Sequence, residues 1–239
     1  MMDAFQLSVS GPWAHFRRPE TNRTPLTHDF ITKTALIGMM GAVLGIERGE
    51  MRGLFPVFSE DLLYGVRFRR PVKKETHGFI VRNAKYPGRA KVSGERKITR
   101  RRYEFLREPH FQVAVARRGD RVADYFDAFC KHVERGKAQF PPVLGWHNCP
   151  ACLELASTGA FDGPRQGEFA ARCFVSSDHD TETDDTGFHV GIDRVPTYQE
   201  NFWNHPDRYQ TVVYPFGDHA LTTAGEFYEY SNGERWWLI

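Results

Sequence analysis

Residues 3–10, DAFQLSVS, place apolar side chains at alternate positions, and that period predicts a first strand with Phe5, Leu7 and Val9 facing inward. Gly11-Pro12 ends it, and a long connection follows, WAHFRRPETNRTPLTHDF. Its cations and its rings (Trp13, Phe16, Phe30) suggest a functional loop, since long connections in compact domains are usually functional or disordered. Thr32-Lys33-Thr34 then opens a helix, ALIGMMGAVLGI, with Thr32 as the N-cap. Gly38, Gly41 and Gly45 share one face of it. Each costs about 1 kcal/mol relative to Ala, so the face must lie very close to something. A flat press onto a sheet accounts for Gly41 and Gly45. Gly38 and the free N–H groups of the helix start point instead to an anion.

DLLYGVRFR (61–69) predicts a second strand and HFQVAVA (110–116) a third. Asp120 is expected to cap RVADYFDAFCKHVERG, in which Val122, Tyr125, Phe126, Phe129 and Val133 recur at helical spacing and Gly136 is the stop. FPPVLGWHNCPACLELASTG gives a Pro-rich turn, a Gly-Trp-His loop and a short fourth strand around Cys152–Leu155. The succession is βαββαβ, so the expected class is α+β, with a ferredoxin-like (RRM-like) domain over 1–160. The remainder, 161–239, reads as a small, mostly antiparallel β domain: FAARCFV, the polar loop SSDHDTETDDTG, FHVGIDRV, QTVVYPF, EFYEYS and RWWLI.

Charge changes the picture. Residues 67–107 hold fifteen Lys and Arg against three Glu (Glu75, Glu95, Glu104), whereas the whole chain is only +2. From Phe161 to Ile239 there are 14 acidic and 5 basic residues. Like charges packed together repel, so such segregation serves a partner and not the fold. The basic stretch is an excursion between the second and third strands, a β-hairpin arm with Phe79, Tyr86 and Phe105 among its cations. Cations that track phosphates, interleaved with rings that stack on bases, suit single-stranded nucleic acid. The acidic third is expected to be scaffold or a protein-contacting surface.

Other classes recede. The longest apolar run, Ala35–Ile46, is too short to span a bilayer, and Met1–Gly11 does not resemble a signal peptide. Four cysteines suit a reduced, cytoplasmic protein without membrane association. Cys149-Pro-Ala-Cys152 beside His147 invites zinc, but a lone CxxC lacks the four ligands of a structural site, so core thiols and no metal or cofactor are expected. HDTETDD lacks the spacing of a calcium loop.

GPWAHFRRPETNRTPLTHDFITKTALIGMMGAVLG resembles the N-terminal signature of the Cas5 family of CRISPR-associated proteins, within the RAMP superfamily. FPPVLGWHNCPA resembles that family's Pro-Leu-Gly turn, and the basic excursion its thumb. Subtype I-B is one candidate, and the sequence leaves the subtype open. The resemblance covers most of 1–160. It implies a non-catalytic crRNA-binding subunit of a type I CRISPR interference (Cascade) complex, gripping the 5′ handle of the guide RNA in antiviral defence. Its partners would be that guide RNA and the backbone and large subunits; contact with target DNA near the PAM is left open. The residues expected at RNA are Arg17 and Arg18 in the loop; His28; Lys33 and Thr34 at the helix start; Arg82, Lys85, Tyr86, Arg89, Lys91, Arg100, Arg101 and Arg102 in the arm; and Trp146 and His147.

The alternative is a metal-independent endoribonuclease that processes precursor CRISPR RNA. One branch of the family cuts with a Tyr before the Gly-rich helix and a downstream Lys-His pair. His28 occupies the Tyr position, and a His there could serve as a base. Lys131-His132 lies too near Gly136 for the pair, and the glycine-rich C-terminal loop of dedicated repeat endonucleases is missing. A generic RNA-recognition module is disfavoured, because DLLYGVRFR and HFQVAVA lack its aromatic-rich motif.

Overall fold

The computed structural model describes residues 1–21, 24–82, 98–183, 187–200 and 206–239. The first part of the chain forms β1 (Met2–Ser10), β2 (Trp13–Ala14), α1 (Lys33–Leu44), α2 (Arg48–Asp61), β3 (Leu62–Phe68), β4 (Lys73–Arg82), β5 (Ile98–Arg107), β6 (His110–Arg117) and α3 (Ala123–Glu134). It continues through β7 (Cys152–Ala171), β8 (Val175–Ser176), β9 (Asp180–Thr181), β10 (Val190–Tyr198), β11 (Arg208–Pro215), β12 (Leu221–Tyr230) and β13 (Arg235–Trp236). The fold is mixed α/β, and every strand pairing described is antiparallel.

One sheet runs in the order β13-β12-β7-β1-β6-β3, with β9 beside β12; β10-β11-β8 and β2-β5-β4 form two smaller sheets. Phe5, Leu7 and Val9 are fully buried as the alternation predicts, and Phe5 meets Phe126 and Phe129 of α3 at 4.9 and 5.5 Å between ring centres. Thr32 caps α1 as expected, its hydroxyl accepting from the Ala35 amide. Gly41 departs from the expectation of a helix laid on a sheet: a Cβ there would lie 2.6 Å from Met51 Sδ, so it admits α2. Gly45 is the left-handed C-cap of α1 (φ 75°), which explains that glycine by backbone conformation.

Three elements differ from the sequence reading. Residues 47–60 suggest no element by pattern, yet α2 forms there and buries Met51, Phe55 and Phe58 at helical spacing, with Pro56 in its interior. Asp120 does not cap α3. It starts a short 3-10 turn and ion-pairs with Arg117. The fourth strand is not confined to Cys152–Leu155: β7 is 20 residues long and crosses residue 160, the expected division between two domains, without breaking the sheet. Its first half pairs with β1 and its second with β12, so residues of the C-terminal third extend the same sheet. Among the described residues, no helix is long and apolar enough to cross a membrane.

Candidate nucleic-acid interface

The basic excursion is a hairpin. Strands β4 and β5 pair from Lys73↔Arg107 to Arg82↔Ile98, and Trp13 and Ala14 of β2 add a third strand at its base. Residues paired across an antiparallel ladder point to the same side. Arg101 (opposite Phe79), Tyr103 (opposite His77) and Phe105 (opposite Glu75) therefore share one face. Arg100 (opposite Ile80) and Arg102 (opposite Gly78) occupy the other. All three arginines are exposed, and none has an ion-pair partner among the described residues. The sequence suggests a single clamp, but strand alternation divides them between two faces. Lys85, Tyr86, Arg89 and Lys91 lie outside the described residues, as does the Arg82 side chain.

At its base the excursion does meet the acidic C-terminal third. Buried Arg67 pairs with Asp218 (2.7 Å) and Glu234 (3.3 Å), and Arg69 reaches Asp218 at 3.7 Å. These cations act in the scaffold. The other face of the hairpin base is tied down as well: Lys74 reaches Asp29 at 2.5 Å and Glu104 at 3.5 Å, and Glu104 accepts from the Thr27 amide.

The loop between β2 and α1 is held by a polar network that engages two of the residues expected at RNA. Arg18 Nη2 and His28 Nδ1 both donate to Asp193 Oδ2 of β10 at 2.9 Å, and Arg18 Nε donates to the Thr27 carbonyl. The His28 and Asp193 side chains are each 1 % exposed. Burial pushes the Asp193 carboxyl up, but the His28 hydrogen bond and the nearby charges of His28 and Arg18 outweigh it and hold the group below the ordinary range. Asp29, the next residue, accepts from the buried Tyr214 hydroxyl of β11 at 2.5 Å. Arg18 and His28 thus organise the loop against the C-terminal sheet. His28 is also not exposed for use as a base.

Arg17 is placed differently. It is exposed, its backbone bridges Thr27, and its only described side-chain bond is a long one to the Thr21 carbonyl. It lines an open groove of about 590 Å³ with Thr34, Ala35 and Gly38 of α1, Gly145, and Gln199 beyond β10. Among the described residues, nothing lies within 4 Å of where a Gly38 Cβ would project. The start of α1, where Thr32 takes the Ala35 and Leu36 amides and leaves those of Lys33 and Thr34, borders space that the described residues leave open beside a cation, an arrangement that receives anions. Lys33 is not part of it. Its side chain is buried, and desolvation, with the Arg118 charge adding to it, lowers its ammonium to about 7. Pro196, Gln199 and Pro206 on the far wall escape the sequence reading, because an acidic third gives no reason to look for groove residues there.

Residues 143–150 form a turn that closes the base of the arm. Val143 bridges Pro150, Leu144 N–H donates to the Cys149 carbonyl, and the Leu144 carbonyl accepts from the His15 amide. Gly145 has φ +81°, and a Cβ there would sit 2.2 Å from the His15 carbonyl oxygen. His15 in turn donates from Nδ1 to the Glu104 carbonyl, and burial holds its ring below the usual imidazole range. The turn lays Trp146 across the arm, nearly parallel to Tyr103 (4.9 Å, 27°) and Phe105 (5.3 Å, 18°). His147 and Asn148 are exposed beside it. Trp13, one of the rings that mark the loop as functional, belongs to this aromatic cluster, as do Tyr103 and His77, which do not stand out in the sequence as site residues; one-in-two alternation down the arm is the signal that could reveal Tyr103.

Cys149 and Cys173 are buried and Cys130 is half-buried, but Cys152 is exposed on β7 and is no core thiol. Among the described residues, no group of three or more His, Cys, Asp and Glu could hold a metal ion.

A family profile described as CRISPR-associated protein (Cas_Cas5) matches residues 5–200. No curated protein matches the chain. Solved structures do. A CRISPR protein from Archaeoglobus fulgidus is 11% identical with TM-score 0.60, over 98% of each chain. A chain of a CRISPR RNA-guided surveillance complex is 17% identical with TM-score 0.57, over 93% of this chain and 91% of that one. A chain of a type III-B Cmr-beta complex bound to cognate target RNA is 8% identical with TM-score 0.50, over 91% of this chain and 86% of that one. At such identities these likenesses establish a shared fold.

Proposed function

Because this chain belongs to the Cas5 family of CRISPR-associated proteins, we propose that it is the subunit of a type I interference complex that holds the 5′ handle of the guide RNA, without cutting it. The single observation that carries the reading is the pairing of an open groove with an unsatisfied arm. The groove joins Arg17 to the start of α1, and the arm bears Arg100, Arg101 and Arg102 with no acidic partner among the described residues. Phosphate neutralisation would supply affinity, and bases splayed onto the arm's rings would supply preference. The strand order β7-β1-β6-β3 supports a ferredoxin-like palm, since βαββαβ chains return their fourth strand beside the first. The non-catalytic reading is supported by His28, which is buried and bonded to Asp193.

The test is purification of the full chain with and without its neighbouring subunits. We expect a short repeat-derived RNA to copurify, its 5′ end protected from ribonuclease. We also expect precursor repeat RNA to stay intact when incubated with the isolated protein in chelator. Protein free of RNA in both settings would overturn the reading, and chelator-resistant cleavage lost in His28→Ala would replace it with the nuclease.

A further inference from the structure

The base of the arm contains a cleft that the groove reading leaves unused. It is about 170 Å³ and is lined by Trp13, His77, Phe79, Phe105, Trp146 and Asn148. Phe105 is buried and forms its floor; Trp13, His77, Phe79 and Trp146 are each half-buried. Trp13 meets His77 and Phe105 edge-on (84° and 80°), whereas Trp146 meets Phe105 nearly face-on (18°), and the cleft opens between them. Half-exposed rings around an open slot forgo the burial that a closed core would provide. Polar groups stand at its edge. Asn148 is exposed with no hydrogen-bond partner among the described residues, and His77 Nε2 lies 3.6 Å from a Glu75 carboxylate oxygen. Arg101 is the cross-strand neighbour of Phe79 on this same face.

We infer that this cleft takes one unpaired nucleobase of the bound RNA, an assignment that rests on the RNA-binding role proposed above. Flat walls accept a π-face, Asn148 offers both a donor and an acceptor to a base edge, and Arg101 lies where the adjoining phosphate passes. The chemistry favours a base over an aromatic or proline side chain from a partner protein, because such a side chain would leave the cation and the amide unanswered. Asn148 is the specificity-determining residue and Trp146 the stacking platform.

The experiment titrates the full chain with a single-stranded oligoribonucleotide, following anisotropy and tryptophan emission. It then repeats the titration with the same oligonucleotide made abasic at one position at a time. One position should stand out, its abasic form binding about 5- to 150-fold more weakly, the range for loss of one base–ring stack. Tryptophan emission should be quenched on binding, and less so in Trp146→Phe, which keeps a ring to pack on Tyr103 and Phe105. Asn148→Ala, an exposed change, should leave the fold intact and flatten base preference at the sensitive position. A flat abasic scan with RNA still bound would overturn the cleft assignment and leave the groove reading standing. Quenching that is unchanged in Trp146→Phe would overturn the cleft assignment in the same way. Absence of any RNA binding would overturn both.

Discussion

Arg101 and its two neighbours provide a test that depends on strand geometry. Arg101 shares its face with Phe79 and Tyr103, while Arg100 and Arg102 project from the opposite face, whose base is tied to Asp29 through Lys74. A single strand that stacks on the rings can use Arg101 but not the other two. Each phosphate contact contributes roughly 0.7 to the slope of log affinity against log salt on a single strand. Arg101→Ala should therefore make the slope shallower by about 0.7. Across a fourfold rise in salt, the variant would lose about 2.6-fold less affinity than the wild type. The Arg100→Ala/Arg102→Ala double variant should leave the slope unchanged despite removing twice the charge. Anisotropy titrations of a labelled single-stranded RNA over a salt series measure this directly. If the double variant flattens the slope by about 1.4 and Arg101→Ala does nothing, the RNA runs along the Asp29 side and the aromatic face is not its track.

Asp193→Ala would leave Arg18 and His28 without their shared acceptor; breaking a buried pair costs about 3–5 kcal/mol, readable as a lower urea midpoint. Because the Asp193 carboxyl titrates below its unfolded value, its contribution is complete above the unfolded pKa and is lost as pH falls through the folded one, so Asp193→Asn should remove part of the acid limb of stability. Lys33 gives the same sign of pH dependence in a higher window, but as a cost of burying the ammonium at lower pH and not as a gain. With its ammonium lowered to about 7, the unfolded chain binds a proton that the folded one does not between pH 7 and the unfolded value, so stability rises with pH across that window. Lys33→Met should stabilise the protein at neutral pH, by a margin that narrows in alkali, as thermal melts at several pH values would show. Gly145→Ala forces a side chain into φ +81° and against the His15 carbonyl, so it should cost more than about 1 kcal/mol by denaturant melts and weaken RNA binding. Gly38→Ala, which meets nothing within 4 Å among the described residues, should be neutral or stabilising by about 0.5–1 kcal/mol.

Much of the fold is legible without coordinates. Period-two alternation marks β1 and β6, and Thr32 and the spacing of Phe126 and Phe129 mark α1 and α3. The crowding of cations between two strands marks the arm, and the loop and glycine-rich helix start mark the family. These are local signals, carried by neighbours in sequence. Helix α2 is hidden because its glycines and Pro56 mask a three-residue apolar stripe. The length of β7 is hidden because Gly159, Gly163 and Pro164 resemble a strand ending, although β1 and β12 give its two halves separate partners.

The site divides along a physical line. That the loop and arm carry clustered cations follows from the sequence alone. Which cations are free depends on acids distant in sequence: Asp193 engages Arg18, Asp218 and Glu234 engage Arg67, and desolvation withdraws Lys33, leaving Arg17 and Arg100–102 to face solvent. Composition counts charges, but only tertiary packing pairs them. An ion's availability depends on the partner and the water around it, and neither is written beside it in the chain.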